Sequence, residues 1–119
     1  MKGMDCSGFV QLALGEIHLD PPGDQTAEGL RQFFKSHGQI IAQKDADLGD
    51  IVFYGHGGKA HHVALCLSSD LMQEAGGGGP SCTSVAIANK LGAKVKVSRI
   101  NRRSDLLCII RPNGLPWRV

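Results

Sequence analysis

The spacing of the apolar residues changes once along this chain, close to Gly38, and that change limits the folds open to it. Before Gly38 the apolar residues recur at three- and four-residue intervals, which predicts amphipathic helices. After it they alternate or form short runs bounded by glycine, which predicts strands. Helices followed by several short strands indicate an α+β domain, with N-terminal helices packed on a small antiparallel sheet. The 119 residues fit a single domain covering 1–119.

Two helices are predicted in the first third of the chain. The first covers residues 6–18, with Asp5 as its N-cap and the turn-forming Pro21-Pro22 after its end. The second covers residues 26–36 and has Thr26 as its N-cap.

The strands are predicted from short apolar runs separated by turn residues. A glycine-rich segment at residues 55–58 is expected to end the first of them, and residues 68–70 form a hairpin loop. The glycine run at 76–79, followed by Pro80, is a further loop. The predicted strands are residues 50–54, 62–67, 71–75, 93–98 and 106–111.

Cys6 is the residue with the clearest chemical potential, because the helix prediction places it at an amino terminus. Unpaired N–H groups and the helix dipole favour a thiolate there. A thiolate is a nucleophile that needs a base and a third group to orient that base. The helix start therefore predicts a cysteine hydrolase.

Five histidines are candidates for the base. His18 and His37 fall near predicted helix ends, and His56 lies in the glycine-rich loop. His61 and His62 stand together at the start of an apolar strand. Neighbouring strand residues point to opposite faces, so at most one of these two can meet the thiol.

The hairpin that follows supplies the third group. If its loop centres on Ser68, His62 lies directly across from Glu74, and a carboxylate meets the imidazole. A one-residue shift in register would bring Gln73 to that place instead. The predicted catalytic residues are Cys6, His62 and Glu74, and the residues predicted to contact substrate are their neighbours Ser7, His61 and Gln73.

Charge and apolar content argue against several classes of partner. The net charge of +2 is too small for a nucleic-acid-binding surface, and no apolar run is long enough to span a bilayer. The start at Met1-Lys2-Gly3 leaves no room for a signal peptide. We therefore expect either a domain of a longer exported protein or a protein delivered by other machinery. The cysteines at 6, 66, 82 and 108 match no disulfide framework, and Cys66 and Cys108 are expected to be buried free thiols.

Two binding functions are alternatives to the hydrolase. A zinc site could draw on His56, His61, His62 and Cys66. The last two stand four residues apart, which spans about 13 Å along a strand and is too far for two ligands of one zinc ion. The glycine run could form a phosphate-binding loop, but the Lys-Ser/Thr pair and the strand-to-helix context of such loops are missing.

Three stretches of the chain resemble the NlpC/P60 cysteine peptidases, which have a papain-like α+β core. Asp5-Cys6-Ser7-Gly8-Phe9-Val10 is similar to the family's nucleophile signature at a helix start. Asp47-Leu48-Gly49-Asp50-Ile51-Val52-Phe53-Tyr54 is similar to its first core strand and the turn before it. His62-Val63-Ala64-Leu65-Cys66-Leu67 is similar to its histidine strand, and the family's third polar residue, twelve positions later, corresponds to Glu74.

The resemblance implies hydrolysis of amide bonds in bacterial cell-wall peptides, commonly the bond between γ-D-glutamyl and a diamino acid. It implies that Cys6 attacks the carbonyl, His62 transfers the proton, Glu74 holds the imidazolium and the Cys6 N–H stabilises the oxyanion. No metal or organic cofactor is implied.

The chain departs from the family pattern at two points. Family members usually carry a tyrosine and a tryptophan-glycine-glycine segment before the cysteine, which the five residues before Cys6 do not contain. Their third residue is usually His, Asn or Gln, whereas this chain has Glu74. The Glu-Ala-Gly-Gly-Gly segment is similar to phage-associated members. These differences leave open a non-hydrolytic domain that binds cell-wall peptide or forms part of a phage tail.

Overall fold

A computed structural model of the protein describes residues 6–23, 25–75 and 95–116. Within these residues the chain forms two α-helices and a six-stranded sheet, as the α+β prediction requires. The predicted N-cap Asp5, the loop at 76–79 with Pro80, and Cys82 lie outside the described residues. The elements are α1 (Cys6–Gly15), α2 (Ala27–Ser36), β1 (Gly38–Ile41), β2 (Ile51–His56), β3 (Lys59–Cys66), β4 (Leu71–Ala75), β5 (Val95–Arg99) and β6 (Leu106–Pro112), with short 3₁₀ helices at Gln43–Asp45 and Ile100–Arg102.

The sheet has the strand order β1-β6-β2-β3-β4-β5, and each neighbouring pair is antiparallel. Strands β2, β3 and β4 follow one another as hairpins, so each pairs with its neighbour in sequence. β6 pairs with the other side of β2, and β1 pairs with β6 as the edge strand. The described residues include no helix long and apolar enough to span a membrane.

The two helices follow their sequence signals. The Thr26 hydroxyl accepts a hydrogen bond from the Gly29 N–H at 3.0 Å and so caps α2 as predicted. The regular part of α1 ends at Gly15, earlier than the predicted His18. His18 instead adopts a left-handed conformation (φ 62°), and the Leu19 N–H donates to the Leu14 carbonyl at 2.9 Å, which closes the helix.

The β2–β3 hairpin differs from the sequence prediction. Gly55 was expected to begin a loop, yet Gly55 and His56 pair with Ala60 and Lys59, so that both strands are longer than predicted. The turn consists of residues 57 and 58, two glycines with φ of 65° and 77°, a conformation that favours tight hairpins. β1 was missed altogether, because its four residues at a sheet edge show no alternation.

Both faces of the sheet are covered. The helix-side core consists of residues from α1 and α2 packed on one face of the sheet, including Phe9, Val10, Leu30, Phe34, Phe53 and Val63. The opposite core is covered by the two 3₁₀ helices and their neighbours, and includes Val52, Tyr54, Ala64, Cys66, Met72 and Ile100. Alternation along β2 and β3 sends successive side chains into the two cores in turn.

Candidate active site

His62 and Glu74 are joined by a hydrogen bond of 2.7 Å between Nε2 and Oε1. The Glu74 side chain is 1% exposed and the His62 side chain 12% exposed. A carboxylate and an imidazole in contact away from water interact strongly and hold each other's orientation. The pair is also close to Tyr54, whose ring centroid lies 5.7 Å from that of His62.

The register that produces this contact differs from the predicted one. Leu65 pairs with Gln73 and Cys66 with Met72, so the loop centres one residue later than Ser68. Relative to the prediction, the strands are displaced by two residues, and His62 is a diagonal neighbour of Glu74 instead of its direct partner. A two-residue displacement keeps every side chain on its predicted face, so the contact survives the error.

The second oxygen of Glu74 has its own partner. Oε2 accepts a hydrogen bond from Arg102 Nε at 3.0 Å, across 28 residues of sequence. Burial by itself raises the pKa of Glu74, but hydrogen bonds from Ser98, Arg102 and His62 together bring that pKa below its usual value. Glu74 is therefore an ionised acceptor at neutral pH.

The imidazole of His62 is held in its neutral form at neutral pH. Desolvation lowers the pKa of His62, and the nearby Glu74 opposes that effect only in part. The positive charges of Arg103 and Arg102 add to the lowering. A neutral imidazole can accept a proton, which is what a general base requires.

The predicted nucleophile begins α1. Cys6 is half-buried at the first position of the helix, where it packs against the helix-side core. Ser7, the next residue, is buried. α1 itself packs on β3 and β4, the two strands that carry His62 and Glu74.

The other two residues predicted to contact substrate lie apart from the histidine–carboxylate pair. His61 is exposed, and its ring lies 5.0 Å from that of His56 on the neighbouring strand. Gln73 lines a cavity of about 120 Å³ between α1 and the sheet. Because Gln73 and Glu74 are consecutive, they point to opposite faces of β4. Of the two alternatives raised by the register, the structure brings Glu74 to His62.

The described part of the chain contains no cluster of three or more His, Cys, Asp or Glu side chains able to hold a metal ion. Cys66 is fully buried among apolar neighbours, and burial raises the pKa of its thiol to about 12. Cys108 is half-buried, and burial raises its pKa as well. Neither thiol shares the environment of a helix start.

The comparison with known families decides the broader identity. The model of the NlpC/P60 family matches residues 1–101 of this chain. The chain belongs to the NlpC/P60 family. This confirms the resemblance inferred from the nucleophile, first-strand and histidine-strand stretches.

Individual members of the family show the same similarity. Peptidoglycan endopeptidase RipB of Mycobacterium tuberculosis, in strains CDC 1551 / Oshkosh and ATCC 25618 / H37Rv, is 35% identical over 101 residues, covering 82% of this chain and 37% of RipB. The chain thus spans little more than a third of this relative. The crystal structure of the NlpC/p60 domain of peptidoglycan hydrolase SagA has the same fold, with a TM-score of 0.60 and 24% identity over 91% of this chain and 76% of that one.

Two polar groups near the site were missed by the sequence reasoning. Arg102 reaches Glu74 from 28 residues further along the chain. The Tyr54 hydroxyl donates to the Ile100 carbonyl at 2.7 Å and so anchors the 3₁₀ helix that ends at Arg102. Both contacts join residues far apart in sequence, and no local pattern signals them.

Proposed function

We propose that this domain is a cysteine peptidase that hydrolyses amide bonds in the stem peptides of peptidoglycan. Cys6 is the nucleophile, His62 the general base and Glu74 the residue that orients the base. The observation that carries the proposal is the buried 2.7 Å contact between His62 and Glu74. A histidine fixed by a buried carboxylate, together with a helix that begins at Cys6 and packs on the same two strands, supports this proposal.

A cavity shared by the later parts of α1 and β3 supports the proposed meeting of Cys6 and His62. Ala13 and Ile17 line the same cavity as Leu65, so the later part of the helix lies against the later part of β3. From Ala13 back to Cys6 the helix covers about 10 Å. From Leu65 back to His62 the strand also covers about 10 Å. With the helix running alongside the strand in the same direction, the two residues would lie at the same end of the sheet.

A bulge in β3 adjusts the imidazole at that end. Tyr54 pairs with His62, but the next residue of β2, Gly55, pairs with Ala60, so His61 is an extra residue in the strand. Bulges bend a strand and re-aim the side chains beside them, and they are frequent next to active sites. The position of the bulge, directly beside His62, supports the role of this residue as the general base.

The proposed reaction uses both nitrogens of the ring. Nε2 is bonded to Glu74, so Nδ1 is the nitrogen that takes the proton of Cys6. The thiolate attacks the amide carbonyl, and the N–H groups at the start of α1 stabilise the oxyanion. His62 returns the proton to the leaving amine, and water then hydrolyses the thioester and regenerates the thiol.

The substrate class follows from the relative. RipB is a peptidoglycan endopeptidase by name. The residues matched by the family model include all three proposed catalytic positions. We propose the bond between γ-D-glutamyl and a diamino acid as the one that is cleaved. Ser7, His61 and Gln73 are the residues proposed to contact the peptide.

Digestion of purified peptidoglycan, with mass analysis of the released fragments, tests the proposal. The wild-type domain is expected to release fragments cut within the stem peptide, and Cys6→Ala is expected to release none while keeping its circular dichroism spectrum. The Cys6→Ala variant lowers turnover by at least about 10³-fold if the thiol is the nucleophile. Full activity of this variant, or glycan-chain cleavage by the wild type, would overturn the proposal. Co-sedimentation with peptidoglycan without cleavage would favour a binding domain.

A further inference from the structure

The carboxylate of Glu74 is engaged on both sides. One oxygen bonds to His62 Nε2 at 2.7 Å and the other accepts from Arg102 Nε at 3.0 Å. We propose that Arg102 is a positioning residue of the active site, which fixes the plane of Glu74 and thereby the orientation of His62. This inference rests on the proposed function of the His62–Glu74 pair. The family model matches residues 1–101, so Arg102 lies just beyond the matched segment.

Arg102 is held on a rigid support. It ends the 3₁₀ helix Ile100–Arg102, whose first residue is fully buried in the opposite core. The Ile100 carbonyl accepts from the Tyr54 hydroxyl at 2.7 Å, and the Ile100 N–H donates to the Asp70 carbonyl at 2.8 Å. Because the backbone at Ile100 is held by hydrogen bonds on both sides, the guanidinium of Arg102 can reach only a restricted set of positions.

The neighbouring arginine is committed elsewhere. Arg103 forms two hydrogen bonds to Asp105, of 2.9 and 2.8 Å, and its guanidinium lies 4.9 Å from the centre of the Tyr54 ring. Arg102 is therefore the arginine in direct contact with Glu74. Its side chain is 43% exposed, so substitution leaves no large cavity in the core.

The contact has a physical role because Glu74 is only 1% exposed. Without Arg102, the buried carboxylate would keep its hydrogen bonds from Ser98 and His62 but would lose its neighbouring cation, so it would be less firmly oriented and would gain a proton more readily. A guanidinium on the second oxygen prevents both changes. Glu74 then remains a fixed anion that can hold the proton-bearing Nε2 of His62.

Three variants test the role of Arg102. Arg102→Gln removes the charge, Arg102→Lys keeps the charge without the planar guanidinium, and Arg99→Gln is the matched control. Arg99 lies on the same segment, and its partner is the exposed Asp70. The first readout is kcat and KM for peptidoglycan fragments. The second is the NMR titration of His62 in a Cys6→Ala background, which requires no activity.

Arg102→Gln is expected to lower kcat about tenfold with little change in KM, because one charge-assisted hydrogen bond to the orienting carboxylate is lost. The titration of His62 is expected to shift to higher pH, since a nearby positive charge that opposes protonation has gone. The other charged or titratable groups around the ring, Glu74, Arg103 and the Tyr54 phenol, are unchanged. Arg102→Lys is expected to keep most of the wild-type kcat and a His62 titration close to that of the wild type. Arg99→Gln is expected to match the wild type in both measurements.

The two readouts separate this inference from the proposed function. Wild-type kcat and an unchanged His62 titration in Arg102→Gln would overturn the role of Arg102. Equal losses in Arg102→Gln and Arg99→Gln would also overturn it, because they would indicate a general effect of charge. If the wild-type domain cleaves nothing, the proposed function fails, and the titration alone still decides whether Arg102 acts on the His62–Glu74 pair.

Discussion

His62 Nε2 lies 2.7 Å from Glu74 Oε1, on strands whose register would not place the two residues directly opposite each other. The diagonal contact is possible because both side chains point to the same face and Glu74 is long enough to reach back. With the carboxylate ionised, Nε2 carries the proton and Nδ1 is the basic nitrogen. The pair thus fixes the tautomer of the proposed base before any substrate binds.

The charge of Glu74 should be visible in the titration of His62. Glu74 raises the pKa of His62 against the larger lowering caused by burial, so Glu74→Gln is expected to lower that pKa further. The measurement is an NMR pH titration of the ring in a Cys6→Ala background, which removes coupling to the thiol. In the parent protein the midpoint is expected below the ordinary value of 6.5.

Gln73→Ala is the control for this titration, because its side chain lies on the other face of β4. It should leave the His62 midpoint unchanged. A Glu74→Gln variant that titrates at the same or a higher pH than its parent would show that the carboxylate does not act on the ring.

Substitutions of Glu74 and Gln73 should differ in their effect on turnover. Glu74→Ala is expected to lower kcat by roughly 10²-fold or more, because the imidazolium loses its buried anion and its fixed tautomer. Gln73→Ala is expected to leave kcat near the wild-type value, because its side chain lies on the other face of β4 from Glu74. Steady-state assays with peptidoglycan fragments measure both. Equal losses of kcat in the two variants would contradict the assignment of Glu74.

The thiols of Cys6 and Cys66 should differ in reactivity. Burial raises the pKa of Cys66 to about 12, so this thiol is almost fully protonated at neutral pH and shielded from reagents. Cys6, at a helix start, is expected to react with iodoacetamide at least about tenfold faster, with a rate that depends on pH. Peptide mass mapping after short exposures identifies the labelled residue. Slow labelling of Cys6, at a rate comparable to that of Cys66, would remove the basis for a nucleophilic role.

The sequence was sufficient for the elements whose signals are local. The cap at Thr26, the strand β4 (Leu71–Ala75) and the helix beginning at Cys6 depend on residues within a few positions of one another. Alternation also assigned His62 and Glu74 to one face. These local features were sufficient to predict the α+β fold and the His62–Glu74 pair.

The register of the hairpin depends on turn geometry that the pattern does not reveal. Leu67 pairs with Leu71 through a 2.8 Å hydrogen bond, and the Ser68 hydroxyl accepts from the N–H groups of Asp70 and Leu71 at 3.2 and 3.1 Å. These bonds centre the turn on Ser69, one residue later than predicted. A serine two or three positions before an N–H can form such a turn, but several turns suit the same residues.

Contacts between residues far apart in sequence could not be predicted from the sequence pattern. Asp50 is fully buried and accepts two hydrogen bonds from Arg111, of 2.9 and 2.8 Å, across 61 residues. Arg102 reaches Glu74 in the same way, from the 3₁₀ helix that follows β5, the strand next to β4. Such pairs form only after the strands have assembled, so an isolated arginine in the sequence indicates an exposed charge and no more.

Acid stability offers a prediction that does not depend on the reaction. Glu28 in α2 accepts hydrogen bonds from Arg31, Gln32 and the N–H of Ala60 in β3, and so ties the helix to the strand beside the bulge. The hydrogen bond from Arg31 is the main reason that the pKa of Glu28 falls to about 2, from 4.5. The folded state therefore binds this proton less readily than the unfolded chain. The resulting stabilisation is complete above pH 4.5 and disappears as the pH falls towards 2.

Glu28→Gln is accordingly expected to lower the free energy of unfolding by about 2 kcal/mol at pH 7, after allowance for partial exposure. Urea denaturation at pH 7, 4 and 2.5 measures this difference. The gap between wild type and variant should narrow as the pH falls, since the wild type loses its advantage when Glu28 is protonated. Glu16→Gln, at an exposed position just after α1, is the matched control and should leave the free energy of unfolding at pH 7 unchanged. A gap that stays constant from pH 7 to 2.5 would mean that the Glu28 charge contributes nothing, and that the variant acts through packing alone.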